Sequence, residues 1–195
     1  VHTFHSFAGA RYAADSAACN DDVVMIQILE ADDAPHPDAV HYDLIVVDEV
    51  QDMNPRYYEL VAKTVRDQLK CSGPAPQLLI LGDCQQAIYA FQGADCRYLS
   101  LANRIWCDAE ELLSNARQWQ SLTLHESFRV PVGVANFVNA VGTRTIVSHK
   151  LNMPKPKYVV CDTYNPFVLA KHVEGMLAKY APEDIFVLAP SVRGA

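Results

Sequence analysis

Two short apolar runs, each closing on a polar cluster, constrain this chain more than anything else in it. Tyr42-Asp43-Leu44-Ile45-Val46-Val47-Asp48 is rich in β-branched residues and ends on a carboxylate; Gln77 to Leu81 repeats the pattern before Gly82-Asp83. Such continuous runs read as strands buried on both faces of a parallel sheet. Parallel neighbours need a crossover, and a helix stands between these two. Asn54 offers its cap and Pro55 its first residue. Tyr57, Leu60, Val61, Thr64, Val65 and Leu69 then keep helical spacing to Lys70, and Ser72 to Pro76 breaks it.

The same alternation runs through the rest. Val1 to Phe4 reads as the end of a strand, with Ser6 capping a short helix through Ala14. Asn20 to Glu30 is apolar without clear period, a helix capped by Asn20 or Asp21, or else a strand. Asp32 to Pro37, with two prolines, is a loop. Ala94 to Trp106 reads as a helix, Trp119 to Leu124 as a strand, and Pro131 opens a helix to about Val141. Tyr158 to Cys161 is a strand, Phe167 to Tyr180 a helix, and Ile185 to Ala189 a strand. This is an α/β chain with mainly parallel sheets.

Charge divides it in two. Residues 1–117 hold 8 Lys/Arg against 18 Asp/Glu, and residues 118–195 hold 8 against 5. Two regions, 1–117 and 118–195, are therefore expected to do different jobs. The acidic first part argues against a general electrostatic grip on nucleic acid, so any strand binding there is local. The six cysteines are scattered singly without a C-x-x-C pair, which fits reduced thiols in an intracellular protein. No apolar run nears the roughly 20 residues that cross a bilayer, and the opening Val1-His2-Thr3-Phe4 has no signal-peptide character, so no membrane partner is expected.

In open parallel sheets, ligands sit at the carboxyl ends of the strands. Here those ends carry Asp48-Glu49-Val50-Gln51-Asp52 and Gly82-Asp83-Cys84-Gln85-Gln86. A carboxylate at a strand tip suits Mg²⁺, a hard cation that keeps several waters. A second acid beside it can polarise a water against a phosphate, as in the Walker B arrangement of nucleotide hydrolases. An acidic turn after a strand is common, so the pair alone says little. His2 and His5 form H-x-x-H without further ligands, and Lys150, Lys155 and Lys157 read as a solvated face.

The context is more specific. In order stand Thr3-Phe4-His5-Ser6-Phe7, DEVQD at 48–52, GDCQQAIYAFQGAD at 82–95, and Ser127-Phe128-Arg129. The series resembles the motifs of superfamily 1 DNA helicases of the UvrD/Rep type. That resemblance implies a RecA-like P-loop NTPase motor core in two partial domains, the carboxyl part of the first in 1–117 and the start of the second in 118–195. It implies ATP and Mg²⁺ as cofactors, with Asp48 on the metal, Glu49 activating water and Gln86 sensing the γ-phosphate. Arg129 corresponds to the arginine that neutralises transition-state charge, and Phe128 to a tyrosine that stacks on adenine. Tyr89 and Phe91 would lie against bases of single-stranded DNA, a mode that tolerates every sequence; Thr3 and His5 fall in a further strand-contacting motif. The implied partners are single-stranded or partially duplex DNA and the remaining helicase domains of a full-length chain, and the implied movement is 3′-to-5′.

Departures from the family pattern matter too. None of the eight glycines is followed by lysine, so the chain holds no G-K-[ST] phosphate loop. In this family that loop precedes the Thr3 motif, so a central fragment inactive alone is expected. About forty residues separate His5 from Asp48, where bacterial relatives carry an accessory domain. Gln92 stands where many relatives have an arginine against the DNA. The alternative is a non-catalytic, helicase-derived module that binds protein or DNA.

Overall fold

The computed structural model describes residues 1–13, 22–71, 76–106, 119–142, 145–151, 155–162 and 164–188. Its chain forms two compact units, Val1–Ser121 and Leu122–Ala195. The first holds helices α1 (Phe4–Tyr12) and α2 (Asp22–Glu30), strand β1 (Leu44–Val47), helix α3 (Pro55–Lys70), strand β2 (Gln77–Ile80) and the short helices α4 (Arg97–Ser100) and α5 (Ala102–Ile105). The second holds strand β3 (Glu126–Pro131), helix α6 (Val132–Val141), strand β4 (Val147–Lys150) and helix α7 (Pro166–Leu177). Both sheets are parallel pairs, β1 with β2 and β3 with β4, so the α/β reading with parallel sheets stands.

Helix α3 begins where the residues dictate. The Asn54 side chain accepts from the Tyr57 N–H, and Pro55, lacking an N–H, follows at the first position. One stripe of α3 packs on the sheet, where Val61 meets Val47, Val50, Met53 and Trp106. The other packs on α1 and α2, where Leu60 meets Ala8, Tyr12, Met25 and Ile28. The helix also carries an ionic cluster that is buried at Lys63 and Asp67 and exposed at Asp32. Lys63, 2% exposed, reaches Asp32 at 2.7 Å and Asp67 at 3.1 Å, and the Tyr12 hydroxyl donates to Asp67 at 3.0 Å. Burial alone would lower the Lys63 pKa, but the hydrogen bonds to Asp32 and Asp67 outweigh it and hold the ammonium above its usual range. The same lysine holds Asp32 below the usual carboxylate range.

Several expectations need correction. The strands are not buried on both faces: Val47 is buried, and Ile45, Leu78 and Ile80 pack on the core, while Leu44, Val46 and Leu79 on the opposite face are 43–50% exposed. Val1 to Thr3 form no strand. Thr3, not Ser6, caps α1, because its hydroxyl accepts the Ser6 N–H at 3.2 Å while Ser6 meets His2 Nδ1. The 20–30 stretch is helical from Asp22; its expected cap at Asn20 or Asp21, the end of the first helix at Ala14 and most of the 72–76 break lie outside the described residues.

The expected helix from Ala94 to Trp106 is two single turns. Asp95 accepts the Arg97 N–H and starts the first. The Trp106 indole then takes the Tyr98 carbonyl at 2.8 Å, the acceptor that a continuous helix would offer to residue 102. Residues 119–125 are irregular, and the strand expected there begins at Glu126, where pairing with Val147 becomes available. Tyr158 to Cys161 and Ile185 to Leu188 are apolar but unpaired among the described residues, and a strand requires a ladder partner. Ala189 lies outside the described residues.

Candidate nucleotide and strand-binding site

Register brings the two acidic turns together. Val47 pairs with Ile80, so Asp48 and Leu81 leave the sheet side by side. The chain then turns sharply at Glu49, which adopts φ 52°, ψ 42°, a left-handed conformation uncommon for any residue but glycine. The Glu49 N–H is satisfied by the Asp48 carboxylate at 2.9 Å, and both side chains remain exposed. The Val50 N–H donates to the Leu81 carbonyl at 2.9 Å, stitching the turn to the second strand.

Gln51, 2% exposed, ties the turns to each other. Its amide oxygen accepts the Asp83 N–H at 3.0 Å, and its amide nitrogen donates to Glu49 Oε2 at 2.6 Å. A Cβ on Gly82 would come within 2.5 Å of that oxygen and 2.9 Å of Leu99, so only glycine admits the glutamine here. Asp83 caps the turn Cys84–Gln86 through the Gln85 N–H and accepts from Gln86 Nε2 at 3.2 Å. Asp48, Glu49, Asp83 and Gln86 thus gather at one end of the sheet. Among the described residues no group of three His, Cys, Asp or Glu is placed to hold a metal ion. Asp48 is an exposed carboxylate, and Mg²⁺ takes one or two carboxylates and completes its shell with water and phosphate.

Beyond the Gln86 turn the chain presents aromatics outward. Tyr89 is 41% and Phe91 79% exposed, with ring centroids 6.2 Å apart and planes tilted by 39°. Gly93, at φ 86°, closes the turn that projects them. Tyr89 and Gln92 line a hollow with Asp52, Asn54, Tyr57 and Ala94. Tyr57 read in the sequence as one of the apolar positions of a core-facing helix. It stacks on Phe4 at 4.3 Å and 4°, receives the His5 ring edge-on at 6.0 Å, and turns its other surroundings toward the hollow. Burial raises its phenolic pKa, the Asp22 charge raises it further, and Arg56 partly offsets both. Nothing in residue spacing distinguishes such a boundary tyrosine from a core one. Thr3 and His5 stand at the start of α1 with their polar atoms engaged, Thr3 as the helix cap and His5 Nε2 on Asp22 at 2.7 Å.

In the second unit, β3 carries a bulge. Ser127 pairs with Ser148 and Pro131 with Lys150, so His149 alone faces Phe128, Arg129 and Val130. Ser127 Oγ accepts the Val130 N–H at 3.0 Å, and the Ser148 hydroxyl donates to the Val130 carbonyl. These two serines hold the irregularity that re-aims the neighbouring side chains. Phe128 is 74% exposed, and Arg129 is exposed with no ion pair among the described residues.

Comparison with known families bears on the first unit. Residues 21–105 match the family described as UvrD/REP helicase N-terminal domain. This segment is similar to that helicase domain. It includes both acidic turns and the Tyr89–Phe91 pair; Thr3, His5, Phe128 and Arg129 lie outside it. The chain is 35% identical over 80 residues to "ATP-dependent DNA helicase UvrD1" of Mycobacterium tuberculosis (strain H37Rv), covering 40% of this chain and 10% of that protein. It is 29% identical over 105 residues to "RecBCD enzyme subunit RecB" of Escherichia coli (strain K12), covering 53% of this chain and 7% of that protein. The matches thus span a tenth or less of these relatives. Among the described residues no helix is long and apolar enough to cross a membrane.

Proposed function

We propose that this chain is the central part of an ATP-dependent DNA helicase or translocase with a RecA-like core, residues 1–117 belonging to the first motor domain and 118–195 to the second. The observation that carries the reading is the Gln51 tie, which holds the DEVQD and GDCQQ turns as one polar surface at the strand ends. A structural acidic turn has no need of a left-handed glutamate fixed by a buried amide.

In this reading Asp48 holds Mg²⁺, which when bound with ATP neutralises charge on the β- and γ-phosphates. Glu49, exposed but fixed from behind by Gln51, accepts a proton from the attacking water. Gln86 rests on Asp83 and is free to exchange that bond for a γ-phosphate oxygen, coupling the nucleotide to the turn that follows. That turn carries Tyr89 and Phe91, so a shift at Gln86 reaches the aromatic pair within three to five residues of chain. Stacking against these rings holds single-stranded DNA without reading its sequence, and by the resemblance to the helicase family movement is 3′-to-5′. Thr3 and His5 border the same strand path, and His5 would exchange Asp22 for the nucleic acid. Phe128 takes the adenine, and Arg129 supplies the guanidinium for transition-state charge. The phosphate loop comes from outside these 195 residues, so the chain alone does not hydrolyse ATP.

The test is ATP hydrolysis by the full-length protein with and without single-stranded DNA. Stimulation by the strand, lost in Glu49→Gln with nucleotide binding retained, is the expected result. Absence of strand-dependent hydrolysis in the unaltered protein would remove the motor reading.

A further inference from the structure

The bulge in β3 leaves an aromatic pair that the reading above does not use in full. The Phe128 and His149 rings stack face to face, with centroids 4.8 Å apart and planes 15° from parallel. His149 is the single residue of β4 opposite the three bulged residues, so its ring has no regular cross-strand partner and fills the space under Phe128. It is held there from its far edge, where Nε2 meets Glu126 Oε2 at 3.2 Å. Glu126 starts β3 and is pinned by pairing with Val147, while the serines on either side of the bulge fix the backbone. Glu126, His149 and Phe128 thus form a chain of contacts ending in a phenylalanine that is 74% exposed.

An exposed phenylalanine alone samples several rotamers, and holding one costs a ligand part of its stacking energy. A ring already stacked on one side has made that choice. Its other side is a preset platform for a flat, uncharged aromatic ligand. We infer that His149 is a positioning residue for the base of a bound nucleotide: it supports Phe128 from beneath, and the base stacks on the opposite face. This rests on the assignment of Phe128 to the nucleotide. It adds that the platform is two rings deep and that Glu126 orients the lower one. His149 touches neither phosphate nor reacting atoms, so its contribution belongs to the base alone.

That separation gives the test. In the full-length protein, equilibrium binding of ATP and of inorganic tripolyphosphate is measured for wild type, His149→Ala, His149→Phe and Phe128→Ala. An aromatic pair of this kind predicts about threefold to tenfold weaker ATP binding in His149→Ala. Tripolyphosphate binding should be unchanged, and His149→Phe should restore most of the ATP affinity by replacing the ring. Equal loss for both ligands in His149→Ala would mean a purely structural role and overturn the inference. Unchanged ATP affinity in His149→Ala, with weakened affinity in Phe128→Ala, would overturn it while leaving the nucleotide assignment in place. If Phe128→Ala itself binds ATP normally, the assignment of Phe128 fails and the inference goes with it.

Discussion

Replacing Glu49 with glycine should leave the fold more stable than replacing it with alanine, and the difference measures strain stored at the site. Glu49 sits at φ 52°, ψ 42°. For an L-residue that conformation costs about 1–2 kcal/mol, because Cβ crowds the following carbonyl. Glycine escapes the clash but loses about 0.5–1 kcal/mol more backbone entropy on folding. Both variants lose the same 2.6 Å bond from Gln51, so that term cancels between them. The net expectation is that Glu49→Gly is more stable than Glu49→Ala by about 0.5–1 kcal/mol. Glu49→Gln keeps an acceptor for Gln51 and should lie within about 0.5 kcal/mol of wild type, as isosteric exposed changes do. Urea denaturation followed by fluorescence of Trp106, which is buried against the sheet side of the first unit, reads all four proteins. Alanine equal to or better than glycine would show that the turn is not held left-handed, and the argument for a prearranged Glu49 would fall.

Lys63→Ala should be more damaging, by up to about 3 kcal/mol, because it leaves buried Asp67 with only the exposed Lys70 ammonium at 3.6 Å and the Tyr12 hydroxyl. The pH signs follow from the shifts. Lys63, raised above 10.5, contributes fully below that pH and loses its contribution as pH rises through the folded value; Asp32, lowered below 3.8, contributes above that pH and loses it as pH falls through the folded value. The stability gap between wild type and Lys63→Met, followed by denaturation, should therefore be level between these limits and shrink outside them. Tyr89→Ala with Phe91→Ala should weaken single-strand binding by about 1–3 kcal/mol per lost base stack, without lowering thermal stability, since both rings are exposed; a large drop in melting temperature with unchanged binding would return them to the core. Arg129→Ala should cut hydrolysis by the full-length protein by about 10³-fold or more, with nucleotide binding less affected. Arg129→Lys should rescue little, because a point charge does not reproduce the planar fork.

The central crossover was legible because its signals are local. Asn54-Pro55, the helical stripe to Lys70 and the two apolar runs each act through their own residues, and the structure follows them within two residues. Where the outcome depended on partners, the sequence reading failed. Tyr158–Cys161 and Ile185–Leu188 have strand composition, yet pairing decides a strand. The break at Leu101 comes from an indole five residues away taking a carbonyl, which no propensity contains. At the candidate site, Asp48, Glu49 and Gln86 stood out by their strings, but Gln51 did not. Its importance lies in burial and in two bonds to residues 2 and 32 positions distant. His149 was invisible for the same reason, since its partner Phe128 lies across a bulge whose register only the folded strands define.

Two irregular turns, one in each unit, are built by the same physical device. In the first unit a regular strand gives way to a left-handed residue, and a buried amide holds the deviation in place. In the second a regular ladder gives way to a bulge, and two serine hydroxyls satisfy the displaced Val130 backbone. Each irregularity carries a cost in backbone energy or lost pairing, and each ends with charged or aromatic side chains exposed rather than packed. Selection for stability alone would have regularised both places, with glycine at 49 and a continuous ladder beside His149. A non-catalytic module descended from such a motor would have no use for either cost. The glycine-over-alanine difference at position 49 is therefore more than a measure of strain. It asks whether the chain still maintains a conformation that only chemistry at the strand end requires.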